Sequence, residues 1–266
     1  MEKIGLIAGG GKLPVIFARE ARKKGAKVIG FAIKEMALPE FGEACNRVHW
    51  FSIGQFRKAF LMLFLERIKK IIMLGRVDKS VIYSNIRKDA ETKDFLKDTG
   101  DKKDYTLLER ITRELSKRGI EVISGIDYIS DFLPAKGILT KRKLSVRERE
   151  DVSFGYKVAR EIANLDIGQT VVVKDKAVVS VEAMEGTNEA VKRSAKLCGE
   201  GFVVIKAARP KQDMRWDVPV VGPETISIIA REKGSVLAIE EKKMFLVDRE
   251  ASVRLADNNN ISIAVI

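Results

Sequence analysis

The most chemically active segment of this 266-residue sequence follows a strand-like run and reads KAARPKQDMRWDVP over positions 206–219. It combines four basic residues with two aspartates and a tryptophan. Basic side chains beside an aspartate suit phosphoryl transfer, in which positioning and charge neutralisation supply most of the catalysis. Asp217, between Trp216 and the stiff pair Val218–Pro219, is the carboxylate we expect to be held rigidly. The alternative is a surface loop whose tryptophan fills a domain interface.

A glycine run, Gly9-Gly10-Gly11-Lys12, separates the strand-like KIGLIA from a helical pattern. Glycines allow close backbone approach to an anion, and the next helix offers free N–H groups, so a phosphate cradle and a plain tight turn are equally supported. The run is neither a GxGxxG fingerprint nor a Walker loop. A second glycine at a strand end, Gly75, is expected at the same edge of the sheet, with Arg76 and Lys79 free to meet a phosphate or water.

A third candidate is VEAMEGTN at 181–188, which carries Glu182, Glu185 and Thr187 around a turn. Thr187 is predicted to cap the following helix, because threonine favours that position. Two carboxylates and a hydroxyl can also hold Mg²⁺ or orient a sugar. Of the two carboxylates, Glu185 is the one we expect in a polar site.

The elements that must position these residues alternate between strand and helix in the first half, which predicts a Rossmann-like parallel sheet with helices on both faces. The pattern stops between 131 and 150, so we expect an N-terminal domain over 1–133 and a C-terminal mixed α/β domain over 134–266. The predicted strands of the first domain are Lys3–Ala8, Lys27–Ile33, Arg47–Phe51, Ile71–Leu74 and Glu121–Ser124, and its helices are Pro14–Lys24, Gln55–Ile68 and Tyr105–Arg118.

The second domain is predicted to begin with a long helix and a hairpin, and then to alternate again. The predicted helices are Val146–Asn164, Asn188–Leu197, Glu224–Lys233 and Glu250–Asp257, and the predicted strands are Thr170–Val173, Ala177–Glu182, Phe202–Lys206, Ser235–Ile239, Lys243–Val247 and Ile261–Val265.

The charge and the amino-acid composition favour some classes of partner and exclude some kinds of site. The formal net charge of +12 favours anionic partners. Two distant cysteines cannot form a disulfide framework, and the single histidine, His49, excludes a histidine-rich metal cage and is expected in the core or at an edge. The longest apolar run, 59–65, is too short to span a membrane and is predicted to be core, although part of it could line an acyl-chain groove. The charged stretch 87–104 is predicted to be a solvated loop. We expect a soluble cytoplasmic protein.

Five motifs together resemble one family. IGLIAGGGKLP at 4–14, LDIGQTVVV at 165–173, VEAMEGTNEA at 181–190, KAARPKQDMRWDVPVVGPETI at 206–226 and LVDREA at 246–251 occur in this order. The chain is similar, over nearly its whole length, to the two-domain UDP-2,3-diacylglucosamine pyrophosphatases of lipid A biosynthesis, which are unrelated to calcineurin-like phosphoesterases.

That resemblance implies a Mg²⁺-dependent hydrolase that releases UMP and 2,3-diacylglucosamine 1-phosphate (lipid X), with water attacking the phosphorus nearer the glucosamine. It implies two α/β domains with the lipid between them, and therefore facing glycine and Asp217 loops. Asp217 matches the family's essential aspartate, and we expect it to bind the metal. The expected substrate contacts are Gly10, Gly11, Lys12, Leu13, Gly75, Gln169, Glu185, Thr187, Lys206 and Lys211.

The same resemblance, with the positive charge, implies a lipid-linked sugar nucleotide as substrate and peripheral association with the cytoplasmic face of the inner membrane. A homodimer is our working expectation. Two other classes of protein are alternatives. A nicotinamide-dependent oxidoreductase would use the glycine run with Glu35 on the ribose, but the third fingerprint glycine is absent. A nucleic-acid-binding module would interleave aromatic and basic residues, whereas aromatic residues make up only 7% of the chain, so no nucleic-acid partner is expected.

Overall fold

The computed structural model describes residues 2–77, 88–97, 104–210, 213–215 and 218–266, with 96, 97 and 104–106 described by their backbone only. The chain divides into two compact units. The first comprises Met1–Ser130 and Asp213–Val218, and the second comprises Asp131–Gln212 and Pro219–Ile266. Among the described residues, no helix is both long enough and apolar enough to cross a membrane.

The first unit is built on a five-stranded sheet in which every neighbouring pair is parallel. Its order, β3-β2-β1-β4-β5, is that of doubly wound sheets, whose ligands bind beyond the carboxyl ends of the strands. The central strands are buried on both faces and consist of apolar residues, as such sheets require. The strands are β1 (Lys3–Ala8), β2 (Lys27–Ile33), β3 (Arg47–Phe51), β4 (Lys70–Leu74) and β5 (Glu121–Val122).

Helices connect these strands and cover the sheet. They are α1 (Leu13–Lys23), α2 (Phe41–Ala44), α3 (Phe56–Leu65), α4 (Ala90–Lys97), α5 (Asp104–Lys117) and α6 (Ile126–Ile129). Helix α4 lies inside the stretch predicted to be a solvated loop, and that prediction is wrong. The Asp89 carboxylate accepts a hydrogen bond from the Thr92 amide at 2.8 Å, which caps the helix, and Phe95 is buried against Phe56.

The apolar run 59–65 within α3 is only partly core, which corrects the sequence-based prediction. Leu63 is buried, but Leu61, Phe64 and Leu65 are 53%, 77% and 67% exposed. Residues three and four apart share one face of a helix, so these three side chains form a single exposed apolar strip.

The second unit contains a six-stranded mixed sheet of order β6-β13-β11-β9-β7-β8. Strands β13, β11 and β9 are parallel neighbours, whereas β6 and the β7–β8 hairpin add to the two sides in antiparallel orientation. The predicted α/β class, with a parallel sheet followed by a mixed one, is confirmed. The strands are β6 (Gly137–Ile138), β7 (Thr170–Lys174), β8 (Ala177–Val181), β9 (Val203–Lys206), β11 (Val236–Ile239) and β13 (Ser262–Val265), and a separate parallel pair consists of β10 (Val220–Val221) and β12 (Phe245–Leu246).

A buried carboxylate fixes the hairpin of the second unit. Asp175 and Lys176 form its turn with φ values of 56° and 58°, and their amides donate to Asp151 at 3.0 and 2.6 Å. Two left-handed residues match the twist that a two-residue hairpin requires. Asp151 lies on α7, which begins with a capping box between Ser145 and Glu148. The helices are α7 (Val146–Asn164), α8 (Thr187–Cys198), α9 (Pro223–Arg231) and α10 (Arg249–Asn258).

Candidate functional site

The two glycine segments of the first unit meet at the carboxyl edge of its sheet, as predicted. The Gly9 amide donates to Leu74 O at 2.9 Å, and Gly10 and Arg76 exchange backbone hydrogen bonds of 2.8 and 2.9 Å. A Cβ on Gly75 would lie 2.8 Å from Gly10 O, and the φ of Gly75 is +97°, so only glycine fits there. The ends of β1 and β4 are therefore locked together.

This arrangement divides the predicted phosphate-binding residues into two groups. The Gly10 amide already donates a hydrogen bond to Arg76 O. An anion at this loop would therefore have to be bound by Gly11 and the residues that follow it. Gly11 and Lys12 are exposed at the start of α1, whereas the Leu13 side chain is buried and can reach a ligand only through its backbone. The start of a helix, with its unpaired amides, is a position at which anions bind.

In the second unit, the predicted residues Thr187 and Lys206 are brought together. Lys206, the last residue of β9, donates from Nζ to Thr187 Oγ1 at 2.9 Å. The same hydroxyl lies 3.2 Å from Thr170 Oγ1 and donates to Glu182 Oε1 at 3.0 Å. The prediction that Thr187 caps α8 is wrong, because Gly186 occupies the cap position and makes no side-chain bond there. The Thr187 hydroxyl instead contacts Lys206, Thr170 and Glu182.

Glu182 is the carboxylate at the centre of this group, which we call the Lys206 cluster (Thr170, Glu182, Thr187 and Lys206). Burial raises the pKa of Glu182, but the Lys206 ammonium and hydrogen bonds from Thr170 and Thr187 outweigh burial, so its pKa is lowered overall. Glu182 is therefore ionised at neutral pH. A base of such low pKa is a poor acceptor of protons, so its role here is to hold its neighbours.

Hydrogen bonds and close packing fix the backbone of Gly168 and Gln169, which precede Thr170 of the cluster. The Gln169 amide donates to Glu182 Oε2 at 3.4 Å, and the Ala207 amide donates to Gln169 O at 2.9 Å. A Cβ built on Gly168 would fall 2.0 Å from Glu182 O, so no other residue fits at this position. The predicted contact Gln169 is thus adjacent to the cluster through its backbone.

Glu185, the carboxylate favoured from sequence, lies outside the cluster. Its Oε1 pairs with Arg193 at 2.6 Å, and its Oε2 accepts from the Ala183 amide at 3.1 Å. The sequence offered two glutamates around one turn, and only the fold shows which of them faces Thr187.

The first residues of the basic loop after β9 are held by hydrogen bonds to two carboxylates. The Ala208 amide donates to Glu240 Oε2 at 2.8 Å, and Glu240 also pairs with Arg160 at 3.0 Å. Arg209 donates to Asp166 at 2.7 Å. Sequence reasoning missed Glu240, which directly follows an apolar strand and shows no motif. Lys211, Trp216 and Asp217 lie outside the described residues.

Within the described ranges, no group of three or more histidine, cysteine, aspartate or glutamate side chains could hold a metal ion. Glu182 is already engaged by Thr187 and Lys206, which makes it a poor match for a divalent cation. The described residues therefore do not fit a magnesium site, and the proposed ligand Asp217 lies outside them.

His49 and Glu35, two further residues considered from the sequence, both contact neighbouring residues of the first unit. His49 Nε2 lies 2.8 Å from Glu66 Oε1, and its ring stacks on Phe31, in agreement with an edge histidine. Glu35, required by the oxidoreductase alternative, is bonded by Ser52 and accepts from the Ile53 amide at 3.2 Å.

The fold and the cluster define a two-unit α/β protein with paired glycine loops in one unit and a lysine–carboxylate–hydroxyl cluster in the other. Family models for the LpxI N-terminal domain and the LpxI C-terminal domain match residues 3–132 and 135–264. The chain therefore belongs to the LpxI family. The oxidoreductase alternative receives no support from these matches.

A curated relative from Caulobacter vibrioides, named UDP-2,3-diacylglucosamine pyrophosphatase LpxI, is 32% identical over 97% of this chain and 95% of its own length. Among solved structures, glycinamide-RNase-transformylase T from Mycobacterium tuberculosis is 9% identical, with 68% of this chain and 44% of that one covered at a TM-score of 0.26. The biotin carboxylase domain of the Hydrogenobacter thermophilus 2-oxoglutarate carboxylase is 11% identical, with coverages of 75% and 42% and a TM-score of 0.30. The chain spans less than half of either structure, and at these TM-scores neither likeness defines its fold.

Proposed function

We propose that this chain hydrolyses the pyrophosphate bond of UDP-2,3-diacylglucosamine in lipid A biosynthesis, giving UMP and 2,3-diacylglucosamine 1-phosphate. The observation that carries the proposal is the 32% identity to the Caulobacter vibrioides pyrophosphatase over 97% of this chain. Membership of the LpxI family in both halves of the sequence supports it.

The Lys206 cluster supplies a cation suited to the diphosphate of such a substrate. An ammonium group has three donors, and the hydrogen bond to Thr187 uses one of them. Lys206 is half-buried at the carboxyl end of a central strand, where a charge interacts more strongly than in bulk water. We assign its remaining donors to a phosphoryl oxygen that gains negative charge as the bridging bond breaks.

Glu182 acts as a positioning residue in this proposal. Its carboxylate attracts Lys206 and accepts the Thr187 hydroxyl hydrogen, so both groups are held before substrate arrives. Prepositioned groups need no reorganisation during the reaction, which is the main source of electrostatic catalysis.

The remaining site residues are proposed on the family resemblance. Gly11, Lys12 and Leu13 would bind an anionic group at the start of α1, with Gly10 and Gly75 shaping the loop. Gln169, Glu185 and Lys211 are proposed as further substrate contacts, and Asp217 as the catalytic aspartate. Magnesium dependence, with Asp217 as ligand, belongs to the same proposal. Among the described residues, no group of side chains forms a site for this ion.

Association with the cytoplasmic face of the inner membrane is also proposed, because the substrate is a lipid and the net charge is +12. A homodimer is proposed as the oligomeric state.

The proposal is tested by incubating the purified chain with UDP-2,3-diacylglucosamine in Mg²⁺ or EDTA and measuring UMP, for wild type and Asp217→Ala. UMP release that requires metal and is lost in a folded Asp217→Ala variant supports the reaction and the catalytic aspartate. Reaction in heavy-oxygen water is expected to label the sugar phosphate rather than UMP. A folded wild-type protein that releases no UMP under either condition would contradict the proposed reaction.

A further inference from the structure

The exposed apolar strip of α3 lies at the amino-terminal edge of the first sheet, away from the glycine loops at its carboxyl edge. The strip consists of Leu61, Phe64 and Leu65. The next residue, Glu66, contacts the first residues of two strands, because it binds Lys3 and pairs with Arg47 at 2.9 Å. The strip is therefore continuous with the edge at which the parallel strands begin.

That edge is cationic. Four of its five strands begin with a lysine or arginine, and two more basic residues lie between α3 and β4. Within the described part of the chain, neither Arg67 nor Lys69 has an acidic partner, and both are exposed. The acidic residues here are fewer, and Glu66 among them is nearly buried. The basic residues are Lys3, Lys27, Arg47, Arg67, Lys69 and Lys70, and the acidic ones are Glu2, Glu66 and Glu121.

We propose that this surface, the α3 edge (Leu61, Phe64, Leu65, Arg67 and Lys69), docks the protein on an anionic phospholipid bilayer. A bilayer offers an apolar interior for the three large side chains and negative headgroups for the neighbouring cations. A second copy of the chain in a two-fold interface would instead bring the same cations against each other. The charge pattern therefore favours lipid over self-association.

None of the residues of the α3 edge is among those proposed to bind substrate or to act in catalysis. This edge raises the concentration of the protein at the membrane and takes no part in hydrolysis. Substitutions there are expected to leave activity on detergent-dispersed substrate unchanged, and the docking itself is measured without substrate. Failure of the docking proposal is thus distinguishable from failure of the proposed reaction.

The test is co-sedimentation of the full chain with vesicles of phosphatidylcholine alone or of two parts phosphatidylcholine to one part phosphatidylglycerol. Wild type is expected to bind the mixed vesicles preferentially. The double variant Phe64→Ser/Leu65→Ser is expected to bind them at least about tenfold more weakly, because two large apolar contacts are lost. Arg67→Glu/Lys69→Glu is expected to lose the preference for the anionic lipid, since each basic residue adds about fivefold to binding.

Matched controls lie on α8 in the other unit. Leu197 is 66% exposed, against 67% for Leu65, so Leu197→Ser removes a side chain of the same kind and exposure. Lys196→Glu reverses an exposed charge nearby. Both are expected to bind vesicles like wild type. Wild type that does not bind mixed vesicles would overturn the proposal, as would Phe64→Ser/Leu65→Ser and Arg67→Glu/Lys69→Glu variants that bind them as wild type does. A dimer that dissociates in Phe64→Ser/Leu65→Ser, without vesicle binding, would assign the surface to a second copy and overturn it too.

Discussion

Lys206 Nζ donates to Thr187 Oγ1 at 2.9 Å, which joins the last residue of a central strand to the first residue of a helix. The same hydroxyl donates to Glu182, so a cation and a carboxylate are held on one threonine. Glu182 and Thr187 are five residues apart around one turn, and Lys206, at the end of β9, reaches them because β8, α8 and β9 converge at one end of the sheet.

The first prediction concerns Glu182. Glu182→Gln removes the charge that attracts Lys206 while keeping the shape of the side chain, so kcat/KM for UDP-2,3-diacylglucosamine is expected to fall about tenfold or more. Most of the loss is expected in kcat. Glu182→Asp should recover part of the activity, which a purely structural role would not predict.

The control for Glu182 is Glu189→Gln, because Glu189 is a carboxylate on α8 that pairs with Lys192 one turn away. It is expected to behave like wild type. Equal losses of kcat/KM in both variants, or a loss explained by a lower melting temperature, would contradict a positioning role for Glu182.

The second prediction tests the packing that supports the cluster. Gly168→Ala would place a Cβ 2.0 Å from Glu182 O, so the backbone must move, at an expected cost of about 1–3 kcal/mol in unfolding free energy. Gly42→Ala is the matched control, because it lies within α2 and a Cβ there meets nothing within 4 Å. The control is expected to be neutral or more stable by up to about 1 kcal/mol. Denaturant titrations that rank the two variants in the opposite order would contradict this packing.

Much of this fold was predictable because local patterns and tertiary burial agree. The strands β1, β2 and β3 and the helix α7 have the predicted bounds. In each strand a short apolar run is bounded by turn residues, and α7 follows the sequence Ser-x-x-Glu, which forms its capping box.

The rest was not predictable because it depends on long-range contacts. Helix α4 has a highly charged sequence, and its formation rests on burial of Phe95 by Phe56 from another helix. The exposure of Phe64 and Leu65 has no local signal, since an apolar run normally indicates core. Likewise, only the approach of Lys206 distinguishes Glu182 from Glu185.

The third prediction concerns pH. Glu66 accepts hydrogen bonds from His49 and Arg47 at 2.8 and 2.9 Å. Burial raises its pKa, but the bonds from His49, Arg47 and Lys3 outweigh burial and lower the pKa to about 2. Its stabilisation is therefore complete above the unfolded-state pKa near 4.5 and is lost as the pH falls towards about 2. Over that window the loss is expected to reach at most about 3 kcal/mol.

Glu66→Gln should flatten this dependence. Unfolding free energies measured by denaturant titration between the two pKa values are expected to fall less steeply with decreasing pH than in wild type. Parallel slopes for the two proteins would show that Glu66 has no such depressed pKa.

The fourth prediction concerns the hairpin turn. Asp151→Ala leaves the amides of Asp175 and Lys176 without their acceptor, and an expected 1–3 kcal/mol, as an order of magnitude, is lost in unfolding free energy. The neighbouring carboxylate, Glu150, is exposed and forms a surface ion pair with Lys176, so Glu150→Ala should cost less than about 1 kcal/mol. Similar melting temperatures for both variants would contradict the role of Asp151.

The most direct test of the central claim is UMP release from UDP-2,3-diacylglucosamine by wild type, Lys206→Met and Lys192→Met. Lys192 is a half-exposed lysine on α8 whose partner is Glu189 at 2.7 Å, so it controls for loss of one positive charge. Wild type and Lys192→Met are expected to release UMP at similar rates, and Lys206→Met about a hundredfold more slowly while it remains folded at the assay temperature. Equal rates for all three proteins would show that the Lys206 cluster does not serve the reaction, and no release by wild type would contradict the reaction itself.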